Sequence, residues 1–186
     1  MSLETKKQLK HIVLCFLVLL PGLVFCQKEK TVEGTIPKYG NTYIVNNPDF
    51  KTDILNDLKV VFDVGRSFGD STKLNPLINT AARYLNMHLN ANVPEKNLKV
   101  ALVIHGNAIN DVLNNTQYKT RFTIDNPNTP LLSALSDKGV QIIVCGQTAA
   151  HRNITKTNVH PDIQIALSAM TALVQLQNKG YKLINF

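Results

Sequence analysis

Two nearly unbroken apolar runs constrain this chain most. Residues 98–105 (Leu-Lys-Val-Ala-Leu-Val-Ile-His) and 140–145 (Val-Gln-Ile-Ile-Val-Cys) are short and rich in β-branched side chains. A strand with one wet face alternates apolar and polar residues. A strand apolar on both faces must be covered on both, which suits a parallel sheet flanked by helices. Residues 58–64 and 181–186 read as two further strands.

Helical patterns with clear punctuation lie between these strands. Asn75 and Pro76 form a cap and first turn, followed by the stripe Leu77, Ile78, Ala81, Leu85 and Leu89. Pro130 follows Thr129 in the same way, and Gly139 ends that helix after Lys138. A last helix is predicted over 161–179, stopped by Gly180. Ile163, Ala166, Leu167, Met170, Leu173 and Val174 would be its buried face, with Met170 a core residue rather than a ligand. This alternation implies right-handed crossovers and a mostly parallel sheet.

The N-terminus reads differently. Lys6, Lys7 and Lys10 precede an apolar run from 12 to 24, then Gln27-Lys28-Glu29-Lys30 turns polar. This is the layout of a secretory signal peptide. Its apolar core falls short of the roughly 20 residues of a transmembrane helix, so no stable membrane insertion is expected. Cleavage after Cys26 gives a periplasmic or secreted product. A lipoprotein anchored at Cys26 is the less favoured reading, because Phe25 is too large for a lipobox. The organisation is then a signal peptide at 1–26, a polar arm with one short strand at 27–50, and one α/β domain at 51–186.

The formal net charge is +7. The mature chain keeps scattered lysines with no basic run and no aromatic interleaving, so nucleic-acid binding is unsupported. Of three cysteines, Cys15 and Cys26 fall in the leader, which leaves Cys145 alone. A lone thiol cannot form a disulfide within its own chain.

In open parallel sheets, ligands bind beyond the carboxyl ends of the strands. Those ends read Asp63-Val64-Gly65, His105-Gly106 and Cys145-Gly146-Gln147. Each glycine allows a tight turn and leaves room beside the backbone. A short helix or turn near 147–150 would place amide groups at Cys145, which favours a thiolate. Arg152 would add positive charge. His105 would serve as proton acceptor or hydrogen-bond partner if its strand neighbours that of Cys145. Position alone does not separate these roles from bland ones. Cys145 would equally be a small buried hydrophobe, His105 a satisfied strand cap, and Asp63 a solvated strand end.

Other chemistries find little support. Cys145, His105, His151 and His160 match no zinc spacing, so no metal is expected. Gly65-Arg66-Ser67-Phe68-Gly69 is not a phosphate loop, and no organic cofactor is implied. Asn114-Asn115-Thr116 and Asn153-Ile154-Thr155 match the glycosylation sequon by pattern only.

Taken in order, residues 100–106 (Val-Ala-Leu-Val-Ile-His-Gly), 139–147 (Gly-Val-Gln-Ile-Ile-Val-Cys-Gly-Gln) and 163–181 resemble the DsrE/DsrF-like family. The nearest likeness is to its exported branch, with a His-Gly strand end and a Val-Cys-Gly-Gln motif, over residues 57–186. The resemblance implies a three-layer αβα sandwich with a mainly parallel sheet of about five strands. It also implies self-association as trimers or hexamers. Sulfur-relay members carry a persulfide on a cysteine at this strand end, and Cys145 is the matching position. Arg152-Asn153-Ile154 resembles an Arg-Gly-Ile-like stretch, with Asn153 in place of the glycine.

Two functional readings follow. In the first, the protein is a sulfur carrier or sulfurtransferase-like protein. Cys145 and His105 would do the chemistry, and Asp63, Gly106, Gly146, Gln147 and Arg152 would line the site. A donor or acceptor protein, or a small thiol, would be its partner. In the second, it is a non-catalytic oligomeric module in which Cys145 only lines a small-ligand pocket.

Overall fold

The apolar runs form the middle of a sheet. The computed structural model describes residues 31–32 and 34–186. Two short strands, β1 (Thr31–Val32) and β2 (Thr42–Tyr43), pair antiparallel by themselves. The main sheet holds β3 (Leu58–Val64), β4 (Leu98–Ile104), β5 (Gln141–Cys145), β6 (Gln164–Ala166) and β7 (Lys182–Asn185). Its order is β6-β5-β4-β3-β7, and every pairing is parallel. The helices are α1 (Pro76–Asn90), α2 (Asn115–Phe122), α3 (Thr129–Asp137), α4 (Gly146–His151) and α5 (Ala169–Asn178). The expected α/β class and parallel sheet are observed.

Crossover handedness explains the layers. The chain steps outward from β3 to β4 to β5, which puts α1 and α3 on one face. From β6 it returns across the sheet to β7, so a right-handed crossover puts α5 on the other face. Val60, Phe62, Val64, Val100, Leu102, Ile104, Ile142 and Val144 pack against α1 and α3. The opposite face is thinner: Val61, Ala101, Val103, Ile143 and Cys145 meet Ala169, Ala172 and Leu176 of α5.

Punctuation works as the sequence predicts at the start of α1 and the end of α3, whereas Thr129, read as the cap before Pro130, is the first residue of α3, and Asn128 precedes it. Asn75 Oδ1 accepts from the amide of Leu77 at 2.9 Å, with Pro76 in the first turn. Gly139 follows α3 with φ of +73°. The last helix departs from expectation. Residues 164–166 form β6, and α5 starts only at Ala169, capped by Ser168 Oγ accepting from the Thr171 amide at 3.0 Å. The predicted face is not the buried one. Ile163 packs into the opposite core, while Leu167, Met170 and Val174 are 72%, 74% and 57% exposed. Met170 is therefore not a core residue. The apolar period was real, but small Ala169 and Ala172 are what allow α5 to lie close on the sheet.

The segment around 34–40 docks on α1 through Asn86, whose side chain is fully buried. Its Oδ1 accepts from the Ile36 amide at 2.9 Å, and its Nδ2 donates to the Tyr39 and Gly40 carbonyls at 2.9 and 3.2 Å. Asn114 caps α2, accepting from the Gln117 amide at 2.9 Å, so this sequon residue has a structural use. The leader reading, with Cys15, Cys26 and the cleavage site, lies outside the described residues.

One buried carboxyl links loop, helix and turn. Asp111 accepts from Ser67 Oγ at 3.1 Å and Asn75 Nδ2 at 2.7 Å, beside a cavity of about 420 Å³. Burial raises its pKa above the ordinary carboxylate value, although both hydrogen bonds pull the other way. The folded state thus holds this proton more tightly than the unfolded chain. Its contribution to stability is fully present below the unfolded value and is lost as pH rises through the folded one. Asp111→Asn removes the titration. As pH falls from 7 toward 4, the wild type is expected to gain stability relative to this variant in urea unfolding. A difference that stays constant with pH overturns this assignment.

Candidate functional site

The site stands at the carboxyl edge of the three central strands. Ile104 is level with Val144, so His105, one residue further, comes abreast of Cys145. Asp63, level with Val103, is one step back on the same face, the face covered by α5. His105 Nε2 lies 2.8 Å from Asp63 Oδ1, and the nitrogen donates to the carboxylate. The imidazole leans over Gly65, where a Cβ would come within 2.8 Å of its Cε1. Among the described residues, no hydrogen bond joins His105 to Cys145.

The other glycines are equally tied to close approach. Gly106 has φ of +55°, and a Cβ there would lie 2.6 Å from the Gly65 carbonyl oxygen. A Cβ at Gly146 would lie 2.3 Å from the carbonyl oxygen of Ala166. These contacts draw the ends of β3, β4, β5 and β6 together.

Cys145 is the free cysteine among the described residues and is 6% exposed. It caps α4, with Sγ accepting from the Thr148 amide at 3.5 Å. Burial pushes the thiol pKa up. The Thr148 side chain and the amides of Thr148, Ala169 and Gln147 outweigh it, and the net shift is downward. Amide dipoles from the starts of α4 and α5 thus favour the anion without a basic side chain. Sequence reasoning anticipated the amides after Cys145 but missed Ala169. The only signal for it was Ser168, a capping residue inside what read as continuous helix.

Gln147 and Arg152 stand at the same edge of the sheet, whereas His160 lies with α3 on the opposite face. Gln147 Nε2 donates to the Leu167 carbonyl at 3.4 Å. Arg152 Nη2 donates to Asn107 Oδ1 at 2.7 Å, which sets the guanidinium over the turn after β4. His160 is buried and hydrogen-bonded to Ser133 Oγ at 3.0 Å. Among the described residues, no three His, Cys, Asp or Glu side chains gather as metal ligands.

The sequence profile of the DsrE/DsrF-like family matches residues 59–186, which includes every strand of the main sheet and all three strand ends. The chain belongs to the DsrE/DsrF-like family. No curated protein matches it by sequence. Several solved structures share the fold, including these two. One is MTH1491 from Methanobacterium thermoautotrophicum, a protein of unknown function. It is 15% identical with a TM-score of 0.53, over 70% of this chain and 100% of that one. The other is the ychN protein from E. coli, 17% identical with a TM-score of 0.50, over 69% of this chain and 98% of that one.

Asn153 is the residue expected in the place of a glycine. Its φ is +54°, the left-handed conformation that ends α4. Asparagine is the residue next best suited to that position after glycine, so the departure leaves the turn intact.

Proposed function

We propose that this DsrE/DsrF-like protein is a carrier of sulfane sulfur that holds a persulfide on Cys145. The observation that carries the reading is the lowered pKa of a lone thiol under converging amides, beside an Asp–His pair. Thiolate is the nucleophilic form, and the same amides would steady the anionic persulfide. The family is linked to sulfur relay in general, which supports this class of chemistry.

The burial of Cys145 favours the second reading, a binding module in which the thiol only lines a pocket. The Thr148 amide on Sγ, which favours the anion, weighs against it.

Two further elements belong to the proposal. Copies of the chain associate as trimers or hexamers, for which the exposed Leu167, Met170 and Val174 are a suitable apolar face. The protein works outside the cytoplasm, as the leader-like residues 1–26 indicate.

The test is intact-mass spectrometry after incubation with a sulfane-sulfur donor, beside Cys145→Ser. The expected result is a gain of about one sulfur atom, reversed by a reducing thiol and absent from the variant. No adduct, together with no labelling of the folded protein by a thiol reagent, would make Cys145 a core residue.

A further inference from the structure

The Cys145 thiol and the His105 imidazole stand abreast on neighbouring strands, yet they are not bonded to each other. The thiol is served by amides instead. A base for Cys145 is therefore redundant, and His105 is free for a different task.

Geometry suggests which. A thiolate attacks a sulfur–sulfur bond with the three sulfurs in line. Each S–S bond is about 2.05 Å. The departing sulfur is then about 4–5 Å from Sγ in the transition state. Parallel strands are about 4.8 Å apart. A residue abreast of Cys145 on the next strand, with its ring held toward β3 by Asp63, is therefore on the side where the departing sulfur would lie.

We infer that His105 is the general acid that protonates the departing thiolate, and that Asp63 positions it by accepting the Nε2 hydrogen. The acid is then the imidazolium, which carries a hydrogen on each nitrogen, and Nδ1 is the one that delivers its proton. Nδ1 has no hydrogen bond among the described residues, whereas Nε2 is held at 2.8 Å by Asp63 Oδ1. Gly65 is part of the device, because any side chain there would displace the ring.

The step balances without an added oxidant. The Cys145 Sγ–S bond forms as the S–S bond of the donor breaks. The electron pair leaves on the departing thiolate, which takes the proton from Nδ1 and departs as a thiol. Solvent then returns a proton to the imidazole. Cys145 is oxidised to the persulfide level and the donor is reduced to its thiol.

This assignment rests on the sulfur-carrier reading for its substrate, but its test does not. Displacement on a disulfide follows the same course. An alkyl thiolate is a poor leaving group and needs the proton; an aromatic thiolate leaves without one. Rates of Cys145 modification are measured with hydroxyethyl disulfide and with dipyridyl disulfide. His105→Gln is expected to lower the alkyl-to-aromatic rate ratio about 100-fold, the scale of general acid catalysis. Asp63→Asn is expected to lower the same ratio, and Asp63→Glu, which keeps an acceptor, to recover most of it. Should one variant not fold, the other carries the test.

A ratio that stays at the wild-type value overturns the assignment, whether both rates fall together or neither falls. A wild-type Cys145 inert to both reagents overturns it as well. A lowered ratio in a protein that takes up no sulfur would uphold the role of His105 and remove the persulfide reading.

Discussion

Gly146→Ala is expected to destabilise the fold by about 2–3 kcal/mol, the cost of overpacking against a contact that cannot move away. At an unstrained helix position the same change normally stabilises slightly, because alanine restricts the unfolded chain. The sign here is decided by space. The new methyl would stand 2.3 Å from the Ala166 carbonyl oxygen and 3.1 Å from that of Leu167. Both are backbone atoms at the end of β6, and Ala166 pairs with Cys145 in the sheet. Relief requires β6 and the start of α5 to shift outward, which also draws the Ala169 amide away from Sγ. Urea unfolding measures the loss, and the pH dependence of Cys145 alkylation should move upward with it. A variant as stable as the wild type would show that the strand end yields at no cost.

Asn86→Ala is expected to be comparably severe, at about 2–4 kcal/mol. One side chain satisfies the amide of Ile36 and the carbonyls of Tyr39 and Gly40. Alanine leaves these groups with no partner at the surface of α1, and buried unpaired groups are expensive. Gly34 is pressed so close that a Cβ would fall 2.0 Å from Asn86 Cγ, so the segment has no slack to re-bond elsewhere. Detachment would also uncover Ile36, now 2% exposed. Limited proteolysis between residues 34 and 43 reads the detachment directly. Unchanged resistance, with stability intact, would show that the backbone groups find other partners.

The two variants mark the boundary of what the sequence discloses. Residues 58–64 form β3 as read, and Asn75, Pro76 and Gly139 punctuate α1 and α3 as read, because these signals are local. β6 was not legible: three residues are too few to show an alternation, and the apolar run beyond them mimicked a helix face. The docking of residues 34–40 was not legible either, since an asparagine in a helix pattern does not reveal a backbone partner some fifty positions away.

The site divides along the same line. Asp63, His105 and Cys145 stood out because strand ends followed by glycine can be found in one dimension. Their relation could not. The bond from His105 to Asp63 depends on the register of β3 against β4 and on the missing side chain of Gly65. Ala169 packs beside Cys145 only because the chain breaks at Ser168 and restarts as α5.

The strand order carries a consequence for how the protein is made. β7 follows every other strand of the main sheet in sequence, yet it lies beside β3, the first of them. During synthesis, one flank of β3 stays unpaired until residues 182–185 have emerged. Phe62, which stacks on Phe186 at 5.9 Å, lacks that cover for the same interval. Parallel pairing between distant segments is slow to form, and unpaired strand edges invite aggregation. The nascent chain therefore has a built-in delay before its sheet closes, and loss of residues 182–185 would leave that flank open for good.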